Sequence, residues 1–477
     1  MKKIVFIEPK APNLHIFSHF PLPRLGTILL GTLMKNRGLD VEIFIEEMRK
    51  IDYEIIKDAD LVGISTITPT APRAYAIADR IREMGIPVIM GGPHVTYLAE
   101  EALGHADFVI RGEGERALME LIDARENGGD YSEVSNLSYR KNREIIHNPK
   151  QPLADNLDSL PYPDFSLLKR DQPTKGGRST IPVLTSRGCP FDCSFCSVTG
   201  MFGKKYRFRS AENVLAELRQ YNSRRNMIFF YDDNFTANRK RTKELLEGMI
   251  REKFKFHWTT QVRADVAKDV DLVRLMKRAG CHTLYIGFET VNPDSLEEMK
   301  KKQTVEEITQ AVKVLRKNRI HIHGMFVYGF DHDDWKTVKK TVRFAKKAKL
   351  NTTQFLILTP APGSEFYEKV ASENRIQFRD WTLYDGHHAV FRPARFSIFD
   401  LQKAQIFSHK KFYSMKQTVK KFFKGKWIDL AIAHYARKLN RTWQKRNRTF
   451  LRAVELLRPK KGAKITLDYK EEISLDR

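Results

Sequence analysis

Three of the chain's four cysteines, Cys189, Cys193 and Cys196, fall within Thr185-Ser-Arg-Gly-Cys-Pro-Phe-Asp-Cys-Ser-Phe-Cys196. Thiolates are soft ligands, and three on one short loop suit a small iron–sulfur site. A 4Fe–4S cluster ordinarily takes a cysteine at each iron, so three cysteines leave one iron open to a ligand that is not protein. Two other readings use the same residues. A structural zinc site wants a closed set of ligands, and no further cysteine or histidine lies nearby. A dithiol redox pair needs only Cys193 and Cys196 and leaves Cys189 idle. Cys281, in Ala-Gly-Cys-His-Thr ahead of an apolar run, reads as a small buried residue.

The spacing Cys189-x3-Cys193-x2-Cys196, with Phe195 before the last cysteine and Arg187-Gly188 before the first, resembles the radical SAM superfamily. That resemblance implies that the amino and carboxylate groups of S-adenosylmethionine chelate the open iron. It also implies a reductant such as flavodoxin or ferredoxin. An electron passed through the cluster would break a carbon–sulfur bond and release a 5′-deoxyadenosyl radical.

The residues ahead of the loop alternate between strand and helix patterns. Apolar runs at 4–7, 41–45, 61–65, 87–90 and 108–111 read as strands, with helical spacing at 25–35 and 74–84. This alternation predicts a doubly wound α/β sheet, whose ligands sit at the carboxyl ends of its strands. Those ends carry Ser65 and Thr66, then Gly91, Gly92 and His94, then Gly112, Glu113 and Gly114. Small residues there leave room for a large flat ligand. No G-x-G-x-x-G follows the first strand, which argues against a dinucleotide.

Placed ahead of the cysteine motif, this Rossmann-like domain resembles the cobalamin-binding domain of cobalamin-dependent radical SAM enzymes. The resemblance makes those eight strand-end residues candidate cobalamin contacts. The Asp-x-His-x-x-Gly signature that supplies a histidine to cobalt is absent, and His15 and His19 lie outside that pattern. His94 reads as lining the site or equally as a satisfied loop histidine.

A hairpin at 137–146 and a proline-rich stretch through Pro163 make a connector over 131–177, after a first domain at 1–130. A second domain at 178–394 shows six strand patterns, at 181–185, 227–231, 257–262, 283–288, 321–328 and 353–358. Thr304 and Glu307 form a capping box for a helix over 305–317. Six strand–helix units predict a partial (β/α)6 TIM-like barrel, the fold of the radical SAM family. Barrel chemistry sits on loops at the carboxyl ends of strands, and the cysteine loop follows the first strand.

The family resemblance assigns the second strand's end, Asp232 and Asp233, to the methionine amino group. Arg263 could grip the methionine carboxylate in bidentate fashion. Glu289 stands at a position resembling the family's ribose contact. The plain alternatives are that the aspartates cap the next helix and that Arg263 pairs with a surface acid.

Hydrophobic residues make up 42% of the 477, enough for packed cores. No apolar run approaches the ~18 residues a membrane span needs. The opening apolar run stops at Glu8-Pro9, and we read it as a first strand, not a leader. Cysteines gathered in one loop suit a reducing cytoplasm. Residues 395–477 change character to a basic helical extension. Between 401 and 464 stand nineteen Lys and Arg against Asp429 and Glu455, interleaved with Phe412, Met415, Val419, Phe422, Phe423 and Trp427. Three readings are open: a packed appendage, peripheral contact with an anionic membrane at the inner face, or a nucleic-acid or acidic-substrate contact. The transfer-RNA methylthiotransferases carry three further N-terminal cysteines that this chain lacks, so nucleic acid is disfavoured.

The expected activity is cobalamin-dependent methylation of an unactivated carbon on a lipid-like or natural-product small molecule. The alternative is a non-methylating oxidoreductase, cyclase or carbon–carbon bond former. An iron–sulfur carrier or zinc protein would not need the barrel.

Overall fold

The structure, a computed structural model, describes residues 1–13, 22–153, 155–168, 179–422 and 427–458. His15 and His19 lie outside the described residues. The first sheet contains β1 (Lys3–Glu8), β2 (Asp40–Ile45), β3 (Leu61–Ser65), β4 (Val88–Gly91) and β5 (Phe108–Ile110), parallel in the order β2-β1-β3-β4-β5. Val5, Ile7, Val62 and Ile64 face one buried layer, and Ile4, Phe6, Ile43 and Ile89 face the other. Burial on both faces explains why these strands read as unbroken apolar runs. Strand order reverses between β1 and β3, which opens a crevice at their carboxyl ends.

The hairpin, β6 (Leu137–Lys141) and β7 (Glu144–His147), extends this sheet, with β6 antiparallel to β5. The sequence reading places it in the connector. Leu137 and Tyr139 are buried with Phe108 and Val134, and that apolar contact draws the hairpin onto the first domain.

The second domain begins with β8 (Thr180–Val183), then a short antiparallel pair, β9 (Ser186–Arg187) and β10 (Arg207–Phe208). β11 (Met227–Phe230), β12 (His257–Val262), β13 (Cys281–Glu289), β14 (His321–Tyr328) and β15 (Thr352–Ile357) follow. The order β8-β11-β12-β13-β14-β15 is sequential and parallel. No pairing joins β8 to β15 among the described residues, so this is the expected partial barrel. Ile228, Phe230, Trp258, Leu284, Ile286, Ile322, Phe326 and Phe355 point outward into the core beneath the helices. Helix Val305–Lys317 carries the predicted Thr304/Glu307 box. Cys281 is buried at the start of β13.

An open barrel leaves β15 as an edge with unpaired backbone groups, which must be covered. Helix Ile398–Phe412 lies along it. The Tyr413 hydroxyl donates to Thr353 O (2.7 Å) and accepts from Thr353 N (2.9 Å). His409 Nε2 lies 3.1 Å from Phe355 O and 3.3 Å from Phe355 N. The C-terminal extension is therefore part of the barrel's closure. Helices Trp427–Arg446 and Arg448–Leu456 also pack inward through Ala433, Ala436, Trp443 and Val454. Met415 and Val419 are exposed, while the side chains of Phe422, Phe423 and Trp427 lie outside the described residues. Among the described residues, no helix is long and apolar enough to cross a membrane.

Burial pushes the His409 imidazolium down to about 4 from its ordinary 6.5. Below pH 6.5 the unfolded chain takes up a proton that the folded chain refuses, so stability falls as pH falls toward 4. Moving from pH 7 to pH 5 should cost about 2 kcal/mol through this residue. Denaturant unfolding at both pH values checks it. His409→Gln, which keeps a donor and an acceptor, should flatten that part of the slope.

Candidate active site

The cysteine loop is pinned at its base before it carries any chemistry. Asp232 is fully buried. Its carboxylate accepts from Thr185 N (2.9 Å), Thr185 Oγ1 (2.8 Å) and Ser186 Oγ (2.7 Å). Arg241 donates to Thr185 Oγ1 (2.9 Å) and Thr185 O (3.1 Å). Burial pushes the Asp232 acid up, and the Ser186, Arg241 and Thr185 contacts pull it back. The β9–β10 pair closes the loop's neck. Gly188 takes φ +83°, and a Cβ there would stand 2.7 Å from Lys205 O. Farther along, Ser194 N donates to Met299 O (3.3 Å) and Ser194 O accepts from Phe366 N (2.9 Å).

This fixed loop presents Cys189, Cys193 and Cys196, all partly exposed and unbridged. Burial, helped by Asp233 and the neighbouring thiols, pushes Cys196 up to about 12 and raises Cys189. Thiols that hold their protons so firmly are poor free nucleophiles.

The structure divides the two aspartates. Asp232 serves the loop's base and is turned away from the open site. Asp233 is exposed on the open side, yet surrounding protein and then Asp232 push its acid up to about 6. Strand parity explains this: Asp232 continues the outward face of Ile228 and Phe230, whereas Asp233 continues the lumen face of Phe229 and Tyr231.

Arg263 is buried beside the loop. Its guanidinium stacks 3.7 Å over Phe191, lies 4.0 Å from Cys193 Sγ and donates to Lys301 O. Glu289, at φ 59° after a bulge in β13, accepts from Lys301 Nζ (2.7 Å), and both side chains are about one-tenth exposed. Lys301 also lies 6.0 Å from the Phe195 ring, which meets Phe330 edge-on at 5.9 Å. Gln303 Nε2 donates to Phe288 O (3.0 Å). Arg263 Nε and Gln303 Oε1 are buried with no partner among the described residues. Sequence reasoning missed Lys301 and Gln303. The first hides in Lys300-Lys301-Lys302, and the second directly precedes a helix cap.

At the first sheet, Ser65 ends β3 and Thr66 Oγ1 donates to Gly91 O (2.9 Å). A Cβ on Gly92 would meet Thr66 O at 2.3 Å, so Gly92 serves the backbone turn. A Cβ on Gly112 would meet nothing within 4 Å, and one on Gly91 nothing nearer than 3.9 Å. Gly114 caps helix Glu115–Glu126. His94 points inward: Nε2 lies 3.1 Å from Tyr75 Oη and 3.4 Å from Glu101 Oε1, with Trp381 edge-on at 5.2 Å. Glu113 is likewise taken, by ion pairs to Arg187 (3.2 Å) and Arg207 (2.6 Å). His94 Nε2 and the Glu113 carboxylate are thus both engaged by protein groups.

Comparison with known proteins agrees with this geometry. The radical SAM superfamily profile matches residues 183–345, and the B12 binding domain profile matches residues 18–122. An uncharacterized methyltransferase of Pyrococcus horikoshii is 33% identical over 395 residues, covering 80% of this chain and 85% of that one. The chain belongs to the cobalamin-dependent radical SAM methyltransferase family. Bacteriochlorophyllide d C-12(1)-methyltransferase of Chlorobaculum tepidum is 31% identical over 401 residues, covering 83% of each chain. The radical S-adenosylmethionine methyltransferase TsrM from Kitasatospora setae, solved with cobalamin and a [4Fe-4S] cluster, shares the fold. Its TM-score is 0.65 at 19% identity, over 78% of this chain and 75% of that one.

The residues fit the family's three cofactors. Three thiols on one pinned loop suit a cluster with an open iron. The unpartnered Arg263 Nε and Gln303 Oε1, beside Asp233 and the Glu289–Lys301 pair, suit a polar zwitterion such as S-adenosylmethionine. The open floor above Gly91 and Gly112 suits a broad ring. His94 is held through Nε2 by Tyr75 and Glu101, so that nitrogen is engaged within the first domain.

Asp232→Ala should cost about 3 kcal/mol, because it strands buried donors. Reconstituted iron should fall with it, although all three cysteines remain. Asp233→Ala should keep both stability and iron. Thermal unfolding and iron analysis decide, and equal effects of the two changes would contradict this division.

Proposed function

We propose that this methyltransferase acts on an unactivated carbon of a planar, conjugated small molecule. The observation that carries the reading is the wall of the barrel lumen. Strand register turns Phe229, Tyr285 and His323 inward from β11, β13 and β14. Tyr285 meets Phe229 at 6.1 Å and His323 at 4.7 Å between ring centroids, and Phe229 meets Tyr231 at 5.9 Å. Tyr231 is 38% exposed at the mouth. Gln261 and Gln354 add polar groups to the same face. Aromatic faces favour a flat π system by offset or edge-on stacking, and the polar groups suit heteroatoms at its rim. The likeness to a bacteriochlorophyllide methyltransferase supports this choice.

When bound, the cluster and S-adenosylmethionine supply the 5′-deoxyadenosyl radical, and cobalamin supplies the methyl group. The protein's residues place and shield. Arg263, Lys301 and Gln303 would orient the methionine end, Asp233 would hold its amino group, and the lumen wall would keep the substrate carbon away from water. The electron comes from a flavodoxin- or ferredoxin-type reductant.

The test offers protoporphyrin IX and, separately, a hopanoid to the reconstituted enzyme with reductant and methyl-labelled S-adenosylmethionine. Label should enter the porphyrin and not the hopanoid. Label in the hopanoid alone would overturn the substrate class. A porphyrin altered without label would favour the cyclase or oxidoreductase alternative. Cys193→Ala should abolish 5′-deoxyadenosine release in every arm.

A further inference from the structure

The first domain holds the cysteine loop at both ends. Before Cys189, Arg187 pairs with Glu115 and lies 3.2 Å from Glu113. Arg207, across the β9–β10 pair, bonds Glu113 at 2.6 Å and 3.0 Å. Its Nη2 also donates to Phe202 O at 3.1 Å. After Cys196, the Tyr97 hydroxyl donates to Ser197 O at 3.3 Å. The Tyr97 ring fills space that a Cβ on Gly363 would need, at 2.2 Å. Tyr97 ends the short helix Pro93–Tyr97 after β4, Glu113 lies in the loop after β5, and Glu115 opens the helix that follows. These connections follow the strand ends that fit cobalamin.

The two arginines are buried and the two glutamates are largely covered. Side-chain exposure is 8% for Arg187, 2% for Arg207, 10% for Glu113 and 17% for Glu115. Burial alone would lower the basicity of Arg187, and Glu115 and Glu113 more than offset this. Arg187 in turn holds the Glu115 acid below its ordinary range against burial. Removing one partner from such a set leaves another charge unpaired in a low dielectric. The set therefore resists small displacements between the two domains.

We propose that Glu113 and Glu115 are positioning residues that fix the separation between cobalamin on the first domain and S-adenosylmethionine at the open iron. The inference rests on cobalamin lying against the strand ends of the first sheet. Its consequence is a division of labour. Radical cleavage of S-adenosylmethionine needs only the second domain: one electron breaks the carbon–sulfur bond to leave methionine and the 5′-deoxyadenosyl radical, which becomes 5′-deoxyadenosine by taking a hydrogen atom from substrate or, without substrate, a second electron from the reductant and a proton from solvent. Release of S-adenosylhomocysteine needs the sulfonium's methyl to leave for a nucleophile across the domain seam. Only the second outcome depends on the glutamates.

The test uses the full chain with Glu113→Gln and Glu115→Gln together, reconstituted and incubated with reductant and S-adenosylmethionine. Release of 5′-deoxyadenosine should stay within about twofold of the native chain. Release of S-adenosylhomocysteine should fall at least about tenfold, as expected when reacting groups are displaced by around an ångström. A proportional fall in both products, or no fall in either, would overturn the proposal. Without any cofactor, amide exchange should quicken over 112–115 and 186–208 while β12 to β14 stay protected, and unchanged exchange would also count against it. Should the double change fail to fold, Arg207→Lys keeps the charge but loses the forked geometry. It should shift the product ratio in the same direction, and an unshifted ratio would again contradict the claim.

Discussion

A fully buried carboxyl group sets the terms for this molecule. Asp232 is accommodated inside the barrel wall because Thr185 and Ser186 donate to it and Arg241 stands behind Thr185. Those bonds fix the residues just ahead of the cysteine loop. The loop's geometry is thereby set by the wall and not left to the loop, as a site with little tolerance for misplacement requires. Removing the carboxylate frees the loop, and what the cysteines could ligate then depends on chance encounters.

Around that fixed point the rest of the chain supplies three services. The C-terminal helix closes the barrel's open edge with Tyr413 and His409, so that basic extension is a structural part of the second domain. The segment 299–303 brings Lys301 and Gln303 beneath Phe195 and next to Arg263. The first domain reaches over with Tyr97, Glu113 and Glu115 and touches the loop on either side of its cysteines. A cobalamin-binding floor and an iron-ligating loop are thus joined by direct contacts.

Much of this was legible in the sequence because it is local. The cysteine spacing, the strands and the Thr304 cap each lie within a few residues, and the structure places β12 and β14 at the boundaries the apolar pattern predicts. Parity could also have separated Asp232 from Asp233, since Phe230 and Asp232 share one face of an extended chain. The rest is long-range. Glu113 reads as a floor residue until folding brings Arg207 to it from 94 positions away. His94 reads as a loop histidine until folding brings Tyr75 and Glu101 to its Nε2. The hairpin after β5 looks like connector because its partner strand is completed only in three dimensions. A charge or a histidine in sequence states what it can do, and only its neighbours state what it does.

The central claim is that one pinned loop and one open floor hold a cluster and a cobalamin on the same chain. Anaerobic reconstitution with iron, sulfide and hydroxocobalamin, followed by desalting and metal analysis, tests it most directly. About four irons beside about one cobalt per chain are expected. An absorption spectrum showing both chromophores is expected as well. Iron retained without cobalt would contradict the account, because the floor above Gly91 and Gly112 would then be empty scaffold.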